Sequence, residues 1–196
     1  MEQKKQSAQY DMECIRSYLN GDSNALTPLV QNYRRPLFAF ILKMTEGRED
    51  ADEIFQETWF RAIKSLPRFK QKNFLSWLFR IAHNLIIDRA RRAKRNISMQ
   101  TSGSREEAAT LEDRLADGAL LPDQRLEGNQ LGEEIRSALT KLSPEQQEVF
   151  VLRMYSGLSF KEISAIQNCS INTSLARMQY ALTKMRSMLK ERYEEL

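Results

Sequence analysis

Apolar residues recur along this chain three and four positions apart, the spacing that places them on one face of a helix rather than one face of a strand. Between Ala25 and Thr45 the stripe is Leu26, Leu29, Val30, Leu37, Phe38, Ile41 and Leu42, with Pro36 inside it as an expected kink or break. From Arg48 to Leu66 it is Ala51, Ile54, Phe55, Thr58, Ala62 and Leu66. That segment opens on acidic residues and closes near Lys64, which suits the helix dipole at both ends. The longest run, Phe74 to Arg95, contains neither Gly nor Pro and follows Asn73, a good N-cap. Leu78, Ile81, Ala82, Leu85 and Ala93 mark its buried side, and a helix of this length reaches roughly 33 Å. A shorter helix is expected over Tyr10–Asn20, closed by the turn at residues 21–24.

The periodicity stops after Arg95. Residues 96–134 are rich in Ser, Gly, Glu, Asp and Gln and read as a flexible linker, with short helical stretches expected near 106–115 and 122–131. As a coil, such a segment spans roughly 35 Å. Helical patterning resumes at Glu133. Two capping boxes follow, Ser143-Pro-Glu-Gln146 and Ser159-Phe-Lys-Glu162, each an N-cap serine answered three residues later by Gln or Glu. The second opens a short helix to Gln167, the turn Asn168-Cys-Ser170 comes next, and a last helix runs to about Tyr193. Asn tolerates the left-handed conformation that such turns need. Short helix, three-residue turn, longer helix is the pattern of a helix-turn-helix, whose second helix enters the DNA major groove.

Charge sharpens this division. Residues 1–95 carry 18 basic against 11 acidic side chains, 96–134 carry three against nine, and 135–196 carry nine against six. Two basic blocks flanking an acidic one suit two modules that meet a polyanion through a segment that avoids it. No apolar run approaches a membrane span, and the N-terminus lacks a signal-peptide core. Cys14, Cys169 and the single His83 supply too few ligands for a metal cluster, so no metal or other cofactor is expected. With no nucleotide-binding loop and no paired catalytic carboxylates, the chain reads as a cytosolic protein that is not an enzyme on its own.

The run from Phe74 joins rings (Phe74, Trp77, Phe79) to a basic end (Arg89, Arg91, Arg92, Lys94, Arg95), a combination that can stack on bases and neutralise phosphates. A core helix with a solvated basic end has the same pattern. The loop before it, residues 67–73, is basic and carries Phe69. On the preceding helix Asp50, Asp52, Glu53, Gln56 and Glu57 fall outside the buried stripe and are expected to face outward.

These segments together resemble the bacterial sigma factors of the extracytoplasmic-function group. Asp50-Ala-Asp-Glu-Ile-Phe-Gln-Glu-Thr-Trp59 is similar to that group's D-A-E-D-L-V-Q-E-T-F. Trp77-Leu-Phe-Arg-Ile-Ala-His-Asn-Leu-Ile-Ile-Asp88 is similar to its W-L-x-R-I-A-x-N-x-x-x-D, and 142–163 to its L-P-x-x-x-R…G-x-S-x-x-E-I segment. The resemblance implies an all-α protein of two small helical domains, residues 1–95 as sigma domain 2 and 135–196 as sigma domain 4. It implies that Asp50, Asp52, Glu53, Gln56 and Glu57 bind the clamp helices of the largest RNA polymerase subunit. It assigns Arg68, Phe69, Lys70, Lys72, Trp77, Arg80, Asn84, Arg89, Arg91 and Arg92 to the promoter −10 element, with Asn84 against a flipped base. Ser170, Asn172, Thr173, Arg177, Gln179 and Tyr180 go to the −35 element. The polymerase flap and an anti-sigma factor are further implied partners.

Two departures from the group's pattern stand out. Lys70-Gln-Lys-Asn73 replaces a small acidic stretch, and Leu175, Ala176 and Tyr180 stand where the last helix usually carries basic or polar residues. The first bears on −10 base preference. The second predicts weaker or differently read −35 contacts, with Gln179 suited to adenine and the apolar residues to thymine methyls. It also keeps open an interaction adaptor whose last helix binds protein and no longer reads DNA; a simple helix-turn-helix regulator that binds duplex DNA without polymerase is a separate alternative, and the aromatic-basic helix and the acidic 50–57 face count against it.

Overall fold

The computed structural model describes residues 2–45, 47–70, 73–100 and 130–194, and no strand occurs among them. The chain divides into two compact units, Met1–Gly118 and Ala119–Leu196. The expected helical stretches near 106–115 and 122–131 lie outside the described residues, apart from the start of one helix at Gln130.

The first unit holds α1 (Glu2–Leu19), α2 (Thr27–Met44), α3 (Arg48–Ser65) and α4 (Phe74–Gln100). α1 begins well before Tyr10, because its first turns are polar and give no apolar period to read. α2 runs through Pro36 unbroken, so of the kink or break expected there the break does not occur. A proline forfeits one backbone hydrogen bond, but here the turns after it bury Leu37, Phe38, Phe40 and Ile41, which offsets that loss. α4 starts where Asn73 Oδ1 accepts the Ser76 backbone N–H at 3.1 Å, and it continues five residues past Arg95.

Rings knit these helices together. Phe40 and Phe79 meet edge-on with centroids 5.0 Å apart, tying α2 to α4, and Trp59 of α3 lies 6.3 Å from Phe74. Between α1 and α2, the Tyr33 hydroxyl donates to Asp11 Oδ2 at 2.5 Å. Asp11 is buried and its other oxygen has no hydrogen-bond partner. Desolvation therefore pushes the Asp11 pKa up from the ordinary value of 3.8, against the opposing pull of the Tyr33 hydrogen bond.

In the second unit, α5 (Gln130–Thr140), α6 (Pro144–Met154) and α7 (Phe160–Ile166) pack around α8 (Ile171–Glu194). Both capping boxes form: Ser143 with Gln146, and Ser159 with Glu162. Val149, Leu152, Ile163, Ile166, Met178 and Ala181 make the core. The turn between α7 and α8 places Asn168 at φ +50°, the left-handed conformation expected of it. The architecture is all-helical in two domains.

Candidate nucleic-acid interface

Each end of the α3–α4 pair presents a different chemistry. Along α4, positions 77, 80, 84 and 91 are separated by three, four and seven residues, so Trp77, Arg80, Asn84 and Arg91 share one strip of the helix. Asn84 and Arg91 are exposed, while Trp77 and Arg80 are half-buried. Phe69, from the loop before the helix, lies with its ring centroid 4.8 Å from Trp77, and both rest against Phe74 at 5.6 Å. The result is a partly open aromatic pair at the head of a polar, basic strip. Arg68 and Lys70 are exposed nearby in sequence, and Lys72 lies outside the described residues.

Two rings counted from the sequence as base-stacking candidates do not belong here. Phe74 is 2% exposed and Phe79 is fully buried, so both are core. Ala93, expected on the buried side, is exposed instead, because the helix end has left the body of the domain there.

The four basic residues expected to track phosphates also separate. Arg80 and Arg91 lie on the strip with Trp77, and the Arg80 Nε is buried without a hydrogen-bond partner. Arg89 and Arg92 instead line a shallow groove of about 450 Å³ between α3 and α4. There Arg89 Nη1 donates to Glu53 Oε2 at 2.5 Å, and its Nη2 pairs with Asp50. These carboxylates, Glu53 first, hold the Arg89 pKa above its ordinary value. Asp52 lies 3.9 Å from Arg48, and Glu57 accepts from Arg61 at 2.6 Å. Asp52, Glu53 and Gln56 are exposed as expected, whereas Asp50 and Glu57 are half-covered. All four carboxylates thus carry a basic neighbour from their own chain.

Phe60, which the sequence reading passed over, is 62% exposed and lines the same groove. It falls seven residues after Glu53 and four after Gln56, so an apolar residue off the buried stripe was the available signal.

On α8, Ser170 Oγ accepts the Thr173 backbone N–H at 3.0 Å and bonds the Thr173 hydroxyl at 2.8 Å, capping the helix. Asn172, Ala176, Gln179 and Thr183 run along the side opposite the buried Ser174, Met178 and Ala181. Thr173 and Tyr180 border that strip, and Tyr180 is 67% exposed. Leu175 joins Ile171 and Leu182 on a separate exposed flank. Arg177, expected in the groove of DNA, is half-buried and turned onto the helix-turn-helix bend. Its Nη1 donates to Gln167 Oε1 at 3.0 Å and to Cys169 Sγ at 3.5 Å. Gln167 in turn donates to the Glu145 carbonyl at 3.0 Å and to Glu148 Oε2 at 2.9 Å. Cys169 is half-covered.

The Sigma-70 region 2 family matches residues 29–96, and Sigma-70 region 4 matches residues 132–185. The ECF RNA polymerase sigma factor EcfG of Rhodopseudomonas palustris is 31% identical over 154 residues, 78% of this chain and 78% of that one. This chain belongs to the ECF sigma factors. SigW of Bacillus subtilis, another of them, is 27% identical over 178 residues, 90% of this chain and 95% of that one. Two solved structures share the fold at TM-score 0.65. One is Bartonella quintana RpoE in complex with the anti-sigma factor NepR, 24% identical over 85% of this chain and 98% of that one. The other is CnrH with the cytosolic domain of CnrY, 23% identical over 93% and 98%. As an ECF sigma factor the chain serves transcription initiation, binding core RNA polymerase and promoter DNA. None of its described helices is long and apolar enough to cross a membrane.

Proposed function

We propose that this sigma factor directs core RNA polymerase to the promoters of one regulon, with residues 1–95 handling the −10 element and 135–196 the −35 element. Residues 96–134 join the two modules. The strip of Trp77, Arg80, Asn84 and Arg91, headed by the Phe69–Trp77 pair, carries this reading. A single strand needs ring faces for its bases, an amide for one base edge and cations for its phosphates, and this strip offers all three in line. The α3 groove, with its carboxylates and exposed Phe60, is the surface assigned to the polymerase clamp helices. In the second module Asn172, Thr173, Gln179 and Tyr180 take the base edges, Ser170 sets the helix start and Arg177 braces the bend. The protein acts in the cytoplasm, without enzymatic chemistry of its own, and an anti-sigma factor holds it inactive, as the NepR and CnrY complexes suggest for its fold.

In-vitro transcription from a genomic fragment library, with core polymerase alone and with this protein added, tests the proposal. Start sites that appear only on addition and share two upstream elements support it. Polymerase binding without new starts overturns the promoter assignment, and Asn84→Ala that still opens promoters normally overturns the −10 strip.

A further inference from the structure

One acid interrupts the basic end of α4. Asn84, Asp88, Arg91 and Arg95 follow one another by four, three and four residues, so they form a single row along the helix, and all four are exposed. Asp88 thus stands inside the strip proposed to hold single-stranded DNA, between the amide that takes a base edge and the arginines that take phosphates. It also borders the groove toward α3, where Arg92 lies one turn on. It pairs with neither Arg91 nor Arg92, and among the described residues its carboxylate has no hydrogen-bond or ionic partner. Asp50, Asp52, Glu53 and Glu57 on α3, by contrast, each have a basic neighbour. We infer that Asp88 is a base-reading residue of the −10 strip, selective for guanine one or two nucleotides from the base that Asn84 takes.

An unpaired carboxylate in a surface that meets a polyanion weakens binding by repulsion unless the nucleic acid offers it a donor. Ionised, it is acceptor-only, with two oxygens to fill. In a single strand the Watson–Crick edges of the bases are open, and the four bases differ there. Guanine presents two adjacent N–H donors, on N1 and N2, which match the two carboxylate oxygens. Cytosine and adenine present one amino group beside an acceptor ring nitrogen. Thymine presents one N–H between two carbonyls, whose oxygens repel an anion. Four residues of helix carry Asp88 roughly 6 Å beyond Asn84, a step of one or two nucleotides along a strand. Arg91 and Arg95 follow on the same row to anchor phosphates and hold the nucleotide within reach of the carboxylate. A matched bidentate pair of this kind discriminates against the wrong base by about tenfold.

This inference rests on the proposed −10 strip, and the test separates the two. Full-length protein, wild type and Asp88→Ala, is assembled with purified bacterial core RNA polymerase. Each holoenzyme, and core alone, is titrated with fluorescein-labelled single-stranded 20-mers: all thymidine, the same with one central guanine, and the same with inosine in its place. Inosine keeps the N1–H and lacks the N2 amino group. Wild type should hold the guanine 20-mer about tenfold more tightly than the thymidine one, with inosine between them. Asp88→Ala should bind all three alike, and the thymidine 20-mer at least as tightly as wild type does, because the repulsive charge is gone. Affinity lost for guanine and kept for thymidine is the signature, because a residue that merely shapes the helix would weaken all three together. A guanine preference that persists in Asp88→Ala, no such preference in wild type, or a uniform loss overturns the inference alone. Wild-type holoenzyme that binds none of the 20-mers better than core alone overturns the proposed strip and this inference with it. Asp88 is exposed and Ala favours helix, so the variant keeps its fold. Asp88→Asn, which keeps the shape and one acceptor oxygen without the charge, should retain part of the preference.

Discussion

Replacing Gln167 by Ala tests how the helix-turn-helix is held. The amide donates to the Glu145 carbonyl and to Glu148, and accepts from Arg177, so it bonds α6 on one side and α8 on the other. Two of those partners are charged and one is a backbone group, at roughly 1 kcal/mol each or somewhat more. Gln167 is only half-buried, and water recovers part of the loss, which leaves a cost of about 2 kcal/mol. With a urea m-value near 1.5 kcal/mol/M for a small helical unit, the midpoint falls by about 1 M. The chain's two tryptophans, Trp59 and Trp77, both lie in the first unit, so each unit can be followed in the full-length protein. Urea unfolding of Gln167→Ala should show a helical transition moved down by about 1 M in circular dichroism. The tryptophan fluorescence transition should stay in place. A fluorescence midpoint that moves as well, or a dichroism transition that does not move, would refute the three-bond brace described for Gln167.

Other substitutions probe the remaining features. Asn168→Ala keeps the β-carbon at φ +50° but loses the polar side chain that lets Asn tolerate the left-handed region, and should destabilise the second unit by about 1 kcal/mol, with Asn168→Gly, which removes the β-carbon, close to wild type in the same unfolding experiment. The raised Asp11 pKa means the folded state prefers the protonated acid, so its stability contribution is complete below pH 3.8 and is lost as pH rises through the folded value. Asp11→Asn should therefore stabilise the first unit at pH 7 and lose that advantage toward pH 3, read by tryptophan fluorescence in urea. Trp77→Ala should lower holoenzyme affinity for a single-stranded oligonucleotide by about tenfold, since one stacked base is worth about 1–3 kcal/mol, and Trp77→Phe should restore most of it in fluorescence anisotropy.

Features set by neighbours in sequence were legible before any coordinates. Ser143 with Gln146, Ser159 with Glu162, Asn73 as a cap and Asn168 as a left-handed turn each need only a few residues of context, and each is found as expected. Stripe periodicity likewise separates buried Leu78 and Ala82 from exposed Asn84. What escaped depends on contacts across the fold. Nothing local to Arg89 tells that its partners lie 36 and 39 residues back, and nothing local to Gln167 tells that it reaches α6. Phe74 and Phe79 were left open between stacking and core because a ring beside a basic helix end reads the same whether it faces solvent or the rings of α2 and α3. At Pro36 the local penalty was visible and the burial offsetting it was not, so the break allowed for there is absent.

From Asn172 to Thr183 the outward strip of α8 carries no charge, and Arg177 is drawn into the bend. Protein that neutralises phosphates frees condensed counterions, and each one freed makes affinity steeper in salt. If α8 reads the −35 element as proposed, it frees few of them, and its share of promoter binding should be nearly flat with ionic strength. The arginines of α4 give the −10 share a steep slope. Raising the salt concentration would then rank promoters increasingly by their upstream element, so the ionic content of the cell becomes part of how this factor chooses among its sites.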